Sequence, residues 1–118
     1  MAAPAGRYDT ICDQGATYER VIILRDASAS LLNLTNYTAR MQIRPSATSA
    51  TITKELTTEN GGIALGGTAG TVTLLIAAAD TLGLAAGAYV YDLNLISPDT
   101  KINKPLYGTF TVRAAVTR

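Results

Sequence analysis

GTVTLLIAAADTLGLAAGAYVYDLNLIS, residues Gly70–Ser97, contains the two strands around which the predicted fold is built. Its first part alternates apolar side chains with threonines, and the apolar positions are Val72, Leu74 and Ile76. A period of two is typical of a strand with one buried face. Leu75 interrupts the alternation, which indicates a partly covered outer face on this strand.

A second strand is predicted over Ala88–Ile96. One of its faces carries large apolar side chains and is assigned to the core: Tyr89, Tyr91, Leu93 and Leu95. Asp92 and Asn94 then point outward, because successive side chains of a strand point to opposite faces.

The link between the two strands is rich in alanine and leucine, which favour helix. Asp80 could cap a helix there, and Gly83 and Gly87 limit it to about one or two turns. A short helical crossover followed by a tyrosine resembles the E–F corner of an immunoglobulin-type sandwich, where a Tyr hydroxyl bonds to the backbone upstream. Tyr89 or Tyr91 could make this bond; the alternative is that both are ordinary aromatic core residues.

Further strands are predicted on both sides of this stretch. Ala16–Arg25 is apolar on both faces at Val21–Leu24, which predicts a central position or a covered outer face. Tyr37–Arg44 alternates cleanly, whereas Thr51–Thr58 carries an inward Lys54, a feature of edge strands. Lys101–Thr117 returns as a long final strand in which Gly108 could mark a bulge.

About seven to nine strands with turns about every eight to twelve residues indicate a sandwich or barrel. The predicted fold is therefore an all-β, antiparallel immunoglobulin-like β-sandwich with one short helical crossover. A chain of 118 residues is predicted to form one such domain over residues 16–118. Residues 1–15 are predicted to be a mobile N-terminal arm or an edge strand.

The composition argues against several classes of partner and location. The net charge of +1 gives no strong field for nucleic acid or an anionic membrane, so neither is a predicted partner. No secretory signal is recognised at Met1–Gly6, and no apolar run approaches the roughly 18 residues of a membrane-spanning helix. Cys12 is the only cysteine, so it is expected to be a small buried hydrophobe, with an intermolecular disulfide as the minor alternative.

The residue types that carry most catalysis and metal binding are scarce. The sequence has no histidine, which removes the commonest general base and metal ligand. With one cysteine, no usual zinc ligand set can be built within one chain. The chain is therefore predicted to hold no metal or cofactor and not to be an enzyme. A Ser-Lys or paired-carboxylate enzyme stays formally open.

The remaining polar and aromatic residues bear on two classes of binding protein, those that bind nucleic acid and those that bind carbohydrate. Three arginines could share an outer face and bind phosphates, namely Arg20, Arg40 and Arg44, but the balanced charge argues against nucleic acid. A carbohydrate module usually shows exposed aromatic side chains for stacking. The sequence has no tryptophan, and three tyrosines are expected to be exposed: Tyr8, Tyr18 and Tyr107.

Four motifs together resemble a family of small virion proteins. They are YTARMQIRPS at Tyr37–Ser46, LTTENGGIAL at Leu56–Leu65, AGAYVYDLNLISPD at Ala86–Asp99 and GTFTV at Gly108–Val112. The chain resembles small structural proteins of tailed bacteriophages and the β-sandwich N-terminal modules of phage baseplate upper proteins. The resemblance covers roughly Tyr18–Arg118 and includes no catalytic motif, so it transfers no functional residue.

The resemblance implies a non-catalytic virion component that connects tail, baseplate or fibre proteins, assembled in the host cytoplasm. It also implies other virion proteins as partners and a homo-oligomer in a symmetric assembly. Tyr and Arg are enriched in interface hot spots, so the candidate contact residues are Arg7, Tyr8, Tyr107 and Arg113; otherwise these side chains are simply exposed. The alternatives are a head decoration (cement) protein and a carbohydrate- or receptor-binding module.

Overall fold

The computed structural model describes residues 6–26 and 28–117. Within these residues the chain forms nine strands, one α-helix and one turn of 3-10 helix. The strands are β1 (Gly6–Arg7), β2 (Thr10–Asp13), β3 (Tyr18–Ile23), β4 (Thr38–Arg44), β5 (Lys54–Thr57), β6 (Ile63–Leu65), β7 (Thr71–Ile76), β8 (Gly87–Ile96) and β9 (Ile102–Arg113). The helix α1 is Ala78–Leu82, and the 3-10 turn is Gly67–Ala69.

The strands form two sheets. In the large sheet, β1 and β2 both pair with β9, which is followed by β8, β4 and β5. In the small sheet the order is β3-β7-β6. This arrangement places β3, β7 and β6 where an immunoglobulin domain has strands B, E and D, and β4, β8 and β9 where it has C, F and G. The chain is an immunoglobulin-like β-sandwich, as the sequence predicted.

One part of the predicted pairing is wrong. The expectation of antiparallel neighbours holds for the pairs among β3–β9, but β1 and β2 run parallel to β9. The chain enters along β9 and then crosses to β3 in the other sheet, so no hairpin forces an antiparallel arrangement at this edge. Residues 6–13 of the predicted arm thus form or flank edge strands, and residues 1–5 lie outside the described residues.

The predicted register of the central strands is confirmed. On β8, Tyr91, Leu93 and Leu95 are at most 5% exposed, and Tyr89 is half-buried against the core. The apolar positions of β7 face them across the sandwich and are at most 1% exposed: Val72, Leu74 and Ile76. Cys12 is buried as expected. No helix of the described residues is long and apolar enough to cross a membrane.

The predicted corner between β7 and β8 forms around Tyr89. The Tyr89 hydroxyl donates to the carbonyl oxygen of Ala85, four residues upstream, at 2.6 Å. Asp80 does not cap the helix, because α1 starts after Ala77 and Asp80 lies within its first turn. The Asp80 carboxylate instead lies 3.7 Å from the ammonium group of Lys54, the inward lysine of edge strand β5.

The strand predicted over Ala16–Arg25 forms as β3, but the prediction of a central position or a covered outer face is wrong. Within the described part of the chain β3 pairs only with β7, so it lies at an edge of the small sheet. Its outer face is uncovered there: Val21 is 62% exposed and Ile23 is 54% exposed. A run that is apolar on both faces does not reveal whether the outer face is covered, because that depends on the neighbouring strands.

Gly108 is needed for a close approach and not for the bulge predicted from sequence. The register of β8 and β9 shifts between Leu93 and Leu95, away from Gly108. A Cβ atom on Gly108 would lie 2.3 Å from the carbonyl oxygen of Tyr8 and 2.8 Å from its carbonyl carbon. Strand β9 then ends at Arg113, earlier than predicted.

Replacing Gly108 with alanine is expected to destabilise the domain by about 2 kcal/mol, because the Tyr8 backbone must move away from β9. The measurement is the free energy of unfolding in urea. Gly83→Ala is the matched control: its added Cβ meets only an ordinary contact of 3.5 Å and needs no left-handed backbone. Its effect should stay within about 0.5 kcal/mol, and equal losses in both variants would contradict the explanation.

Candidate interaction face

The outer face of the large sheet holds an open groove of about 640 Å³. The alternation that buries one face of β4, β8 and β9 aims the intervening polar side chains into this groove. The lining residues come from β1, β4, β8, β9 and the loop after β4: Arg7, Arg40, Gln42, Arg44, Ala47, Val90, Tyr91, Asp92, Asn94, Lys104, Tyr107, Gly108 and Thr109. We call this surface the groove face.

One side of the groove face is organised by Glu55 on β5. Its carboxylate lies 3.4 Å from Nε of Arg40 and accepts a 2.7 Å hydrogen bond from the Gln42 amide. The side-chain oxygen of Gln42 in turn accepts a 2.6 Å hydrogen bond from Arg44. Arg44 also donates to the backbone carbonyl oxygen of Ser49 at 2.8 Å. The two hydrogen bonds orient the Arg44 guanidinium, whereas the exposed Arg40 is held by its ion pair alone.

The other side of the groove face is organised by Lys104 on β9. Its ammonium group donates to the Asn94 side-chain oxygen at 2.8 Å and to the Asp92 carboxylate at 3.2 Å. Both acceptors lie on β8, where sequence had placed them on the outer face. The lysine therefore spans two strands at the point where their register shifts.

The rim of the groove is formed by β1 and the neighbouring part of β9. Arg7 and Tyr107 are register partners, and Tyr107 is 43% exposed. Arg7 lies 3.1 Å from the Asp9 carboxylate, which also accepts a 3.0 Å hydrogen bond from the Thr109 amide. The bond from Thr109, followed by that from Arg7, lowers the pKa of Asp9 below its usual value.

Tyr8 joins the groove face to the core through its backbone. Its carbonyl oxygen lies over Gly108 and accepts a hydrogen bond from the hydroxyl of Tyr91, the register partner of Gly108 on β8. Burial raises the pKa of Tyr91, so the hydroxyl keeps its proton and acts as a donor. The Tyr8 side chain is half-buried and packs against the core.

The four candidate contact residues are therefore placed in different surroundings. Arg7 and Tyr107 lie together at the groove, and Tyr8 lies beneath the rim. Arg113 is exposed but does not line the groove, since its guanidinium binds the carboxylate of Asp13 at 2.6 and 3.0 Å. This contact lowers the pKa of Asp13 and raises that of Arg113.

Two other expectations about surface residues are corrected. Arg20 does not share a face with Arg40 and Arg44, because it lies on the small sheet with its guanidinium carbon 4.6 Å from the centre of the Tyr18 ring. Tyr18 is only 2% exposed and packs against Phe110, so it offers no stacking surface. Among the described residues no group of three potential acidic, cysteine or histidine ligands could hold a metal ion.

The groove face suits a polar partner with an acidic group. Its lining carries four cationic side chains, three of which are ion-paired: Arg7 with Asp9, Arg40 with Glu55 and Lys104 with Asp92. Arg44 is not ion-paired with any carboxylate of the described residues, so it is available to an incoming one. Lys104 and Gln42 also belong to this surface and were not predicted as parts of it, although the polar positions of alternating strands β4 and β9 were a usable signal.

No family model matches the sequence, and no curated protein matches it. Among solved structures the chain is similar to CopC from Methylosinus trichosporium OB3b, with 18% identity and a TM-score of 0.46 over 91% of this chain and 87% of that one. Murine CRIg gives 11% identity and a TM-score of 0.43 over 91% of this chain and 92% of that one.

A third similar structure is Drosophila OTK, extracellular domains 3–5, with 17% identity and a TM-score of 0.35 over 98% of this chain and 35% of that one. At these identities and scores the likenesses support no statement about ligands or partners. The fold stated above rests on the strand order and pairing.

Acid is expected to loosen the edge formed by β1 and β2. Because the pKa values of Asp9 and Asp13 are lowered in the folded state, their stabilising effect is complete above the ordinary value of 3.8 and is lost as the pH falls through the lower folded values. Amide hydrogen-exchange protection at Thr109 should therefore drop selectively in acid. Asp9→Asn should remove this pH dependence at Thr109, while protection at Leu93 serves as the internal control. Equal acid sensitivity at both amides would refute this explanation.

Proposed function

We propose that this chain is a non-catalytic structural component of a tailed bacteriophage virion, connecting tail, baseplate or fibre proteins through protein–protein contacts. The phage assignment is supported by the four motifs quoted above, and the mode of action by the groove face. The observation that carries the contact role is a hydrogen-bonded polar surface with an oriented arginine, Arg44, on the outer side of the large sheet.

The proposed contact has a definite chemistry. The Arg44 guanidinium, held by Gln42 and Ser49, would bind a carboxylate of the partner, because charge-assisted hydrogen bonds to an oriented guanidinium are short and strong. Tyr107 and Arg7 at the rim supply the residue types that are enriched in interface hot spots. A surface whose side chains are already ordered loses less conformational entropy on binding.

Two alternatives remain for the same surface. A head decoration protein would use it against capsid subunits. A carbohydrate- or receptor-binding module would stack a sugar ring on Tyr107 beside the hydrogen-bonding groups of Asn94 and Lys104. The exposed Tyr107 is the specific observation that favours the second alternative.

The virion assignment predicts that purified particles from the phage or prophage carrying this sequence contain several copies of the chain. Quantitative mass spectrometry of those particles measures the copy number, and cryo-electron microscopy locates the chain in the tail or the head. Absence of the chain from intact particles would overturn the virion role.

The groove face is tested by Arg44→Glu, which should reduce incorporation into particles by about tenfold because a partner carboxylate would then meet a like charge. Lys101→Glu is the matched control, since it reverses an exposed charge in the turn before β9 and outside the groove lining. Normal incorporation of both variants would exclude the groove as the contact surface. Retention on a glycan array that is lost in Tyr107→Ala would favour the carbohydrate alternative.

A further inference from the structure

The open edge of β3 in the small sheet points to a contact outside the groove face. β3 is six residues long and pairs only with β7 in the described part of the chain. It differs from the edge strands β5 and β6, which are four and three residues long. An exposed strand edge with apolar side chains is a template for pairing with another strand.

The direction of the backbone groups can be read from the hydrogen bonds around Leu24. Its amide donates at 2.8 Å to the carbonyl oxygen of Gly70, the residue before β7, and its carbonyl oxygen accepts at 3.0 Å from the amide of Leu32, which lies beside Gly70 on the same side of the strand. Because backbone groups alternate in direction along a strand, those of the odd-numbered residues point to the open side. These are Glu19, Val21, Ile23 and Arg25.

The first three of these residues form the outer face of β3, and Arg25 follows two residues after the end of the strand, where it forms an isolated antiparallel bridge with Leu31. Read along the chain, these four positions carry an acid, two exposed β-branched side chains and a base. Neither terminal charge is ion-paired within the described residues; Arg25 donates only to the Ala29 carbonyl oxygen, at 3.1 Å. The pattern is self-complementary when two copies run in opposite directions.

We infer that β3 pairs antiparallel with β3 of a second copy of this chain, about a twofold axis at Ile22. In this register Glu19 lies opposite Arg25 of the second copy, and Val21 lies opposite Ile23 of the second copy. Both kinds of pair occur twice, as an isologous contact requires. The facing odd-numbered residues exchange backbone hydrogen bonds, and the two small sheets join into one continuous sheet.

Other registers of the antiparallel β3 pair do not match the charged side chains with each other and the apolar side chains with each other. Centring the axis on Val21 would place Glu19 opposite Ile23, and centring it on Ile23 would place Val21 opposite Arg25. Each leaves charges opposite apolar side chains, whereas cross-strand pairs of opposite charge and of β-branched residues are stabilising. Arg20 also lies at this edge: its guanidinium donates to the carbonyl oxygens of Glu19 and of Ile11 on β2, each at 2.9 Å, and leaves one lone pair of the Glu19 oxygen for the facing strand.

The inference goes beyond the proposed virion role, because the dimer can be disproved while the virion role still holds. Sedimentation equilibrium of the full chain, from about 1 μM to about 1 mM, should show a species of twice the 12.3 kDa chain mass. Glu19→Arg and Arg25→Glu should each weaken dimerisation by about tenfold or more, since each places like charges opposite one another twice. The double variant should restore it, because the pairs are then reversed.

Lys101→Glu is again the control and should leave the dimer unchanged, since Lys101 lies in an exposed turn outside β3. A monomer throughout this range overturns the inference. So does a dimer that is insensitive to both single charge reversals, or a double variant that fails to recover. Circular dichroism of each variant verifies folding, which these exposed substitutions should not affect.

A disulfide cross-link tests the proposed register of the two β3 strands. Ile22→Cys places a thiol on the twofold axis, where facing Cβ atoms of a non-hydrogen-bonded pair are close enough for a disulfide. The native Cys12 is buried and does not compete. Oxidation should link two copies of Ile22→Cys but not of Glu59→Cys, an exposed position in the turn after β5. Equal linking of both variants contradicts the register.

Discussion

The contact of the Tyr8 carbonyl group with Gly108 is the constraint on which the large sheet depends. No side chain fits between them, since a Cβ atom would lie 2.3 Å from the carbonyl oxygen. The hydroxyl of Tyr91 reaches the same oxygen from β8, so three neighbouring segments meet at one point. This meeting point holds the N-terminal strands parallel beside β9 and closes an edge that would otherwise be open.

The groove face follows from this arrangement. Arg7 reaches the rim only because β1 lies beside β9, and the Asp9 carboxylate fills the gap between β1 and β2 by accepting the Thr109 amide. On β8 the same alternation that buries Leu93 directs Asp92 and Asn94 into the groove. The same alternation of side chains therefore forms both the core and the groove face. A shift of the strand register by one residue would disrupt both.

The sequence predicted those features that depend on local periodicity. We could predict the inward faces of β7 and β8 and the corner at Tyr89. In a half-buried strand, alternating apolar and polar residues show which face is buried. The exposed outer face of β3 could not be predicted, since Val21 and Ile23 look the same whether or not another layer covers them. Two further features could not be predicted, because they depend on the tertiary path of the chain. They are the parallel pairing of β2 with β9 and the ion pair of Asp13 with Arg113.

The two proposed surfaces also have a geometric consequence. An antiparallel pairing of β3 strands in one continuous sheet places the twofold axis perpendicular to that sheet, so the outer faces of both small sheets point the same way. Both groove faces, which lie on the opposite side of each sandwich, then point together in the other direction. A dimer of this kind presents two identical polar grooves to one partner surface. When both grooves engage, the second contact becomes intramolecular, so weak individual contacts add up to strong attachment.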